Sequence, residues 1–505
     1  MANEPSDQSK DQEGLKSTGG SANQPEQDAD QSRRMFFKRV AVGGGAALLG
    51  GAGAYAAGAA SVEGKIDKDY PETNEDFKPF DQKNTVLSYV ASPVLVQKDN
   101  TRMEQFKKLH DKPADYSWQE DFKHFEHALP YDPNRPGFTQ LDGALQHATW
   151  MPWLEWHGQK GKVLLMGGAG VPNTPPYTWD QSPKYKEKHQ FKDAKEAADA
   201  IRSAGRLFGA LRVGIAHNDP RWNYDPLYDL TQDKELSWEN DFPFKPKSVI
   251  VMVVPMDYDA MATAPSRISA AAAGMGYTQM AVVAGAMKHF MNGLGYNAVG
   301  AGNDLAISGA YGIMAGLGEG GRNNCLMVPG YGPRVRICKV FTDFDFEDQY
   351  DEPRTWGMTE FCKSCKKCAD ACPSEAVSQQ DEPSFVPVHD RANEPGYNWS
   401  NHLGVKKFHT DAKRCLTYWL EIDGDCGACI AACTFNEPDF WHHWFIMAIN
   451  PIMPTAIHSL MAELHPAFGY GSTQNPEKAK KFWRTGEGMR VNKHNKSTFG
   501  TSNIS

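Results

Sequence analysis

Between Lys247 and Asp343 the apolar positions alternate between strand-like runs and helix-like spacings. Ser248–Met256 is a continuous apolar, β-branched run that predicts a buried strand. Ser266 is placed to cap a long helix running towards Asn292, with Gly293 as its stop signal. Tyr296–Val299 predicts a short strand, and Asp304–Leu317 a small-residue helix ending in Gly318. Cys325–Val328 and Arg334–Phe341 predict two further strands. Strands alternating with helices indicate a layered α/β or α+β core. Upstream, Ala194, Ala197, Ile201, Ala204, Leu207 and Phe208 recur at helical spacing, which predicts a helix within Asp193–Leu211. Residues 63–160 show no long helical pattern and read as an irregular unit that wraps something else. The tail from Phe445 is broken by Pro, Gly and Asn and reads as a packing or docking extension. No repeat recurs at periods of about 20–50 residues.

The N-terminus departs from this pattern. Residues 1–32 are polar without apolar periodicity and read as disordered. Ser32-Arg33-Arg34-Met35-Phe36-Phe37-Lys38 then precedes an uncharged, Gly/Ala-rich run from Val40 to Val62. Paired arginines before a weakly apolar stretch form the twin-arginine export pattern. A membrane anchor is the alternative, since the run is long enough to span a bilayer. Its Gly/Ala content makes it a poor lipid-facing helix. Small residues between Ala54 and Ala60 offer several cleavage points.

Composition narrows the class. The chain has 505 residues, more than one core usually accommodates. A formal net charge of −9 with scattered Lys and Arg gives no nucleic-acid surface. All ten cysteines lie at or after Cys325, and eight fall between Cys362 and Cys433. A disulfide framework spreads over a small secreted domain, so this crowding points to metal ligation.

The spacing identifies the metal. Cys362-x2-Cys365-x2-Cys368-x3-Cys372-Pro373 is the full bacterial ferredoxin run. Three closely spaced thiolates on a tight loop reach three irons of one cubane, and the fourth ligates the other cluster. The second run, Cys415-x10-Cys426-x2-Cys429-x3-Cys433, has a longer first gap and Thr434 in place of proline. Crossed ligation assigns Cys362, Cys365, Cys368 and Cys433 to one 4Fe–4S cluster, and Cys372, Cys415, Cys426 and Cys429 to the other. Two zinc sites would leave the Cys-x2-Cys-x2-Cys triplet unexplained. Cys325 and Cys338 lie outside both runs in apolar contexts and read as buried structural thiols. A two-cluster wire needs only a small domain, so the remaining residues call for a substrate site and a cofactor that does bond chemistry.

The chain resembles the respiratory reductive dehalogenases. The resemblance is carried by the twin-arginine segment, both cysteine runs, Ala264-Pro265-Ser266, Gly276-Tyr277-Thr278-Gln279-Met280, Gly302-Asn303-Asp304 and Ala315-Gly316-Leu317-Gly318-Glu319. Tyr331–Asp343, Thr359-Glu360-Phe361-Cys362 and Cys415-Leu416-Thr417-Tyr418-Trp419 add to it. It covers most of residues 200–445 and is weak between 63 and 190. The resemblance implies an α+β fold: a nitroreductase-like corrinoid-binding core with an inserted ferredoxin-like two-cluster domain. The implied division is 1–62 for disordered N-terminus and signal, 63–190 for the irregular unit, 191–355 for the core, 356–445 for the cluster domain and 446–505 for the extension. The corrinoid is expected base-off. The usual ligating pattern Asp-x-His-x-x-Gly is missing, and His289, in Met287-Lys288-His289-Phe290-Met291-Asn292-Gly293, reads as an ordinary helix residue.

Roles follow by the same resemblance. Tyr277 matches the proton donor, Arg336 the cation beside it, Asn303 the position that holds the donor or the departing halide, and Trp419 an aromatic wall of the substrate pocket. A phenol titrates near about 10, so it keeps its proton until a strong base forms beside it. The bare residues also allow other readings: a core Tyr with a satisfied hydroxyl, a capping Asn, an ion-paired Arg with Arg334 as competitor, and a packing Trp. The implied function is reductive removal of halide from a small organohalide in anaerobic respiration. The enzyme would be exported, lie at the outer face of the cytoplasmic membrane or in the periplasm, peripherally attached, take electrons from a respiratory donor and attach through a small membrane subunit. Phe440–Phe445 is a candidate docking surface, with buried core as the alternative. An epoxyqueuosine-reductase-like enzyme and an exported two-cluster electron-transfer subunit without corrinoid are the rival readings.

Overall fold

The computed structural model describes residues 64–86, 132–156, 179–181, 187–229, 234–387, 400–422, 424–436, 450, 455–465 and 470–484. The twin-arginine segment, Phe440–Phe445 and the basic end of the tail lie outside the described residues.

Apolar β-branched sequence builds the centre. Strands β1 (Arg212–His217), β2 (Ser248–Pro255), β3 (Ala298–Ala301) and β4 (Val335–Thr342) form one sheet in the order β1-β2-β4-β3, every pair antiparallel. All eight residues of β2 are buried, as a strand with both faces covered requires. The register sets Val254 opposite Arg336 and Ala301 opposite Lys339. Successive side chains alternate faces, so Arg336 and Lys339 leave β4 on opposite sides.

One face packs helices. Ile250, Met252, Val254, Cys338 and Val340 meet Met280, Ala284 and Met287 of the long helix and Ala197 and Ile201 of a shorter one. Four helices enter the fold here: α1 (Gln140–Trp156), α2 (Ala194–Leu207), α3 (Arg267–Gly293) and α4 (Ser308–Met314). Ser266 caps α3 in a capping box with Ser269, where the sequence expects the start. On the other face Val249, Val251, Val253 and Phe341 pack Trp222, Tyr311, Leu317 and Leu326.

Two expectations need correction. The unit read as irregular contains the 17-residue helix α1. Its apolar residues do not line one stripe, so no helical period shows. It is held instead by long-range contacts: Trp150 Nε1 donates to Ala270 O at 3.2 Å, and Thr278 Oγ1 donates to Thr149 O at 2.8 Å. The helix expected over Asp304–Leu317 covers only Ser308–Met314. Leu305 sits at φ 65°, in the left-handed region, which ends any helix there.

The cysteine segment is a set of short helices: α5 (Met358–Ser364), α6 (Lys367–Asp370), α7 (Ala412–Glu421) and α8 (Ala428–Ala431). Further on lie α9 (Thr455–Leu464) and α10 (Pro476–Arg484). Helices α6 and α8 pack together, each carrying a cysteine. Among the described residues no helix is long and apolar enough to cross a membrane.

Candidate active site and cluster segment

Helix α3 is apolar nearly all round, so it is buried and its few polar atoms must find partners inside. Tyr277, 3% exposed, is one of them. Asn303 Nδ2 donates to the Tyr277 hydroxyl at 2.8 Å, and Arg336 Nη1 donates to it at 3.3 Å. The guanidinium lies over the Tyr277 ring, 4.5 Å from its centroid. The structure therefore brings together three of the four residues expected at the site.

Local sequence explains the approach. A Cβ on Gly276 would stand 2.8 Å from Arg336 Cγ, so glycine beside the tyrosine makes room for the arginine. Asn303 is fixed through the backbone around it. Tyr224 Oη donates to Asn303 O at 3.3 Å, and Gly302 N donates to Asp304 Oδ1 at 2.7 Å. The Lys339 ammonium donates to Gly302 O and to Ser308 Oγ. Burial pushes the Asp304 carboxyl up to about 6 and the Lys339 ammonium down to about 8, each opposed by the charge of the other. Arg334, the competing arginine, is turned elsewhere: it donates to Met256 O at 2.6 Å and to Asn436 Oδ1 at 2.8 Å.

Trp419 is not joined to this trio by any contact among the described residues; it is half-buried on α7. The aromatic that meets Tyr277 is Trp150, with ring centroids 5.0 Å apart. Gly274 admits it, since a Cβ there would lie 2.6 Å from Trp150 Cδ1. Sequence reasoning missed Trp150 because it comes from the weakly matched N-terminal unit. His289 is exposed on α3, in keeping with an ordinary helix residue.

The cysteines fall into two electrostatic neighbourhoods. Cys433 feels Cys368, Cys362 and Cys365. Cys415 feels Cys426 and Cys372, and Cys429 feels Cys415, Cys368 and Cys426. Burial pushes up the thiols of Cys362, Cys368, Cys415, Cys426, Cys429 and Cys433, Cys362 and Cys426 to about 12, so anionic sulfur there calls for a bound cation. Arg322, 1% exposed, braces the first loop. It donates to Cys365 O at 2.9 Å, to Cys362 O at 3.1 Å, to Ser378 O at 2.8 Å and also to Gln380 O. Glu319 accepts from Trp356 N, Met358 N and Thr359 Oγ1 and so caps α5 with a carboxylate.

A family profile described as "Reductive dehalogenase subunit" matches residues 239–346, and one described as "4Fe-4S dicluster domain" matches 361–436. The tetrachloroethene reductive dehalogenase of Desulfitobacterium hafniense is 30% identical over 567 aligned positions, covering 91% of this chain and 99% of that protein. The chain belongs to the reductive dehalogenase family. It is an oxidoreductase acting on carbon–halogen bonds, and its cysteine segment carries two 4Fe–4S clusters. The tetrachloroethene reductive dehalogenase of Dehalobacter restrictus is 32% identical, over 71% of this chain and 74% of its own. Among solved structures, a variant of the catabolic reductive dehalogenase NpRdhA superposes with a TM-score of 0.58 at 20% identity, over 83% of this chain and 51% of that one. That likeness shows a shared fold. Family membership sets aside both rival readings.

Two features of this dehalogenase escaped sequence reasoning. Asp425 is buried, neither carboxylate oxygen has a hydrogen-bond partner among the described residues, and the nearby Arg336 charge opposes the burial that raises it to about 6. Arg336 Nε is likewise buried without a partner. Cys325, read as an ordinary thiol, is an electrostatic neighbour of Arg336 and of Cys368, Cys415 and Cys429. Its electrostatic neighbours thus include one member of the trio and cysteines of both runs. Cys338 is fully buried on β4, facing the packed helices, as expected of a structural thiol.

Proposed function

We propose that this chain is the catalytic subunit of a respiratory reductive dehalogenase that takes chloride from a small chlorinated alkene, using a base-off corrinoid in a nitroreductase-like core. The observation that carries the reading is the buried phenol of Tyr277, held by Asn303 and Arg336. The alkene rests on the relatives from two organisms, whose names specify tetrachloroethene.

The residues fit both groups. Cys362, Cys365, Cys368 and Cys433 would hold one cluster, and Cys372, Cys415, Cys426 and Cys429 the other. Orphaned polar atoms on Arg336, beside the Tyr277 phenol and near Cys325, and on its neighbour Asp425 suit a polar group bound between core and clusters. When bound, the corrinoid supplies a strongly reducing cobalt for the carbon–halogen bond, and the clusters supply its electrons singly. The balance is R–Cl + 2 e⁻ + H⁺ → R–H + Cl⁻.

The chain does the rest. Tyr277 Oη gives the proton to carbon. Arg336 stabilises the phenolate left behind, because an adjacent cation favours the charged form. Asn303 fixes the hydroxyl. Trp150 and the apolar body of α3 keep water away from the reduced carbon. The division into 63–190, 191–355, 356–445 and 446–505, with Trp419 in the pocket wall, belongs to the same reading. So do export through Arg33-Arg34, residence at the outer face of the membrane, a small membrane-anchor subunit and a respiratory electron donor.

Anaerobically purified protein, made with corrinoid available, is expected to hold cobalt alongside iron and sulfide. It is expected to release one chloride from tetrachloroethene for every two electrons consumed. Iron without cobalt, with no chloride released, would overturn the reading.

A further inference from the structure

A cavity of about 540 Å³ lies between α4, the Glu319–Leu326 loop, the N-terminal segment around Tyr70 and the His402–Phe408 segment. Gly309 of α4 opens onto it, and a Cβ there would meet nothing within 4 Å. Cys325 lines it and is also an electrostatic neighbour of Arg336, so the cavity adjoins the catalytic trio.

Most charges on its wall are matched. Lys406 pairs with Glu72 at 2.8 Å, and Lys363 with Glu360 and Glu382, both at 2.9 Å. Glu319 is satisfied by three donors. Lys407 is different. Its backbone is pinned by reciprocal hydrogen bonds with Ser384, at 3.0 and 2.9 Å, which fixes where the side chain leaves the wall. Among the described residues no carboxylate, Asp67 on the same wall included, forms an ion pair with its ammonium. Lys407 is half-buried by surface area yet heavily desolvated, as happens when accessible area opens onto a cavity rather than bulk water. Burial pushes it down to about 8. A desolvated charge without a partner is costly and points to a ligand that supplies one.

A second donor on this wall is also orphaned. Trp222 is 1% exposed, lines the cavity, and its Nε1–H is buried without an acceptor among the described residues. His402, packed at tilted and edge-on angles among Phe77, Phe80 and Trp222, uses its Nε2 on Lys78 O at 2.9 Å. An orphaned indole N–H and an ammonium with no ion pair among the described residues, both on this wall, suit an anionic acceptor.

We propose that Lys407 and Trp222 Nε1 form an anion subsite that takes the phosphodiester of the corrinoid's nucleotide tail. This rests on the corrinoid reading above. A cobalamin-type corrinoid carries one phosphodiester anion on its tail, while cobinamide has the same ring without that phosphodiester or its nucleotide. The ammonium meets the negative oxygens and the indole donates to one of them, a charge-assisted pairing in a site of low dielectric.

The test is equilibrium binding to full-length, cluster-loaded protein made without corrinoid, using hydroxocobalamin and diaquocobinamide, each followed by its absorption spectrum. Wild type is expected to prefer hydroxocobalamin. Lys407→Met is expected to weaken hydroxocobalamin binding about tenfold or more while changing cobinamide binding less than about twofold. Trp222→Phe should show the same selective loss at smaller size, and Lys407→Arg should restore most of the preference. Inorganic phosphate should compete with hydroxocobalamin in wild type and not in Lys407→Met. Iron content of each variant reports on folding. Equal losses for both corrinoids, or no loss for either, would overturn the subsite. A subsite for free phosphate alone would show as Lys407-dependent phosphate binding that leaves hydroxocobalamin affinity unchanged, and it too overturns the proposal. A wild-type chain that binds neither corrinoid sinks the corrinoid reading itself.

Discussion

A phenol oxygen that accepts hydrogen bonds from two donors has its own hydrogen turned towards a third direction. Tyr277 is in that state, with Asn303 Nδ2 and Arg336 Nη1 both donating to its oxygen. The arrangement orients a proton for delivery and keeps a cation beside the anion that remains. Tyr277→Phe removes the proton and leaves the ring against Trp150. Turnover is expected to fall by about 10²–10⁴-fold, the usual range for a lost general acid. KM, iron content and Tm should change little. Steady-state chloride release, with thermal unfolding as control, decides it; unchanged turnover would move the proton source elsewhere. At this scale the sequence was most readable where a motif names its atoms. The cysteine spacing and Tyr277 are of that kind. Lys407, Trp222 and Asp425 carry no local pattern, because what marks them is a missing partner, and that is visible only in three dimensions.

Helices and strands decide whether such atoms meet. Tyr277 and Arg336 come from α3 and β4, and the step between them is a glycine. A Cβ at position 276 would lie 2.8 Å from Arg336 Cγ and 3.3 Å from Met256 Cγ. Gly276→Ala gains about 1 kcal/mol of helix propensity. Overpacking of a buried contact costs about 1–3 kcal/mol and displaces the arginine. The expected outcome is a small change in Tm, within about 4 °C, with turnover reduced about tenfold or more and KM little altered. Full activity in this variant would show that Arg336 need not touch the phenol. Element legibility followed the same physics. Helix α3 was readable because Ser266 and Gly293 punctuate it. Helix α1 was not, since its stability comes from contacts such as Trp150 to Ala270 rather than from an apolar stripe. The helix expected from Asp304 was shortened because Asp304, Lys339 and Leu305 at φ 65° commit the turn to holding Asn303.

Across the whole molecule, segments far apart in sequence are locked at a few buried polar and aromatic junctions. Arg322 from the core binds backbone carbonyls of the cluster loop. His402, from the cysteine segment, packs between Phe77 and Phe80 of the N-terminal segment and Trp222 of the core. Burial holds the His402 ring down to about 4, against an ordinary value near 6.5, so the folded protein keeps it neutral. The sign of the consequence is fixed by linkage. A group depressed in the folded state contributes stability that is complete above its unfolded pKa and is lost as pH falls through its folded pKa. The window is therefore pH 6.5 down to about 4, where the unfolded chain binds a proton that the native junction refuses. The shift corresponds to a loss on the order of 2–3 kcal/mol across that window. His402→Gln keeps a donor for Lys78 O but does not titrate, so it isolates this contribution from the general acid sensitivity of the clusters. Thermal unfolding of both proteins under anaerobic conditions at pH 7, 5.5 and 4.5 is expected to show the wild-type Tm falling more steeply than that of the variant. Parallel curves would mean that the junction opens, or takes up the proton, before the molecule unfolds, and that the three segments are locked elsewhere.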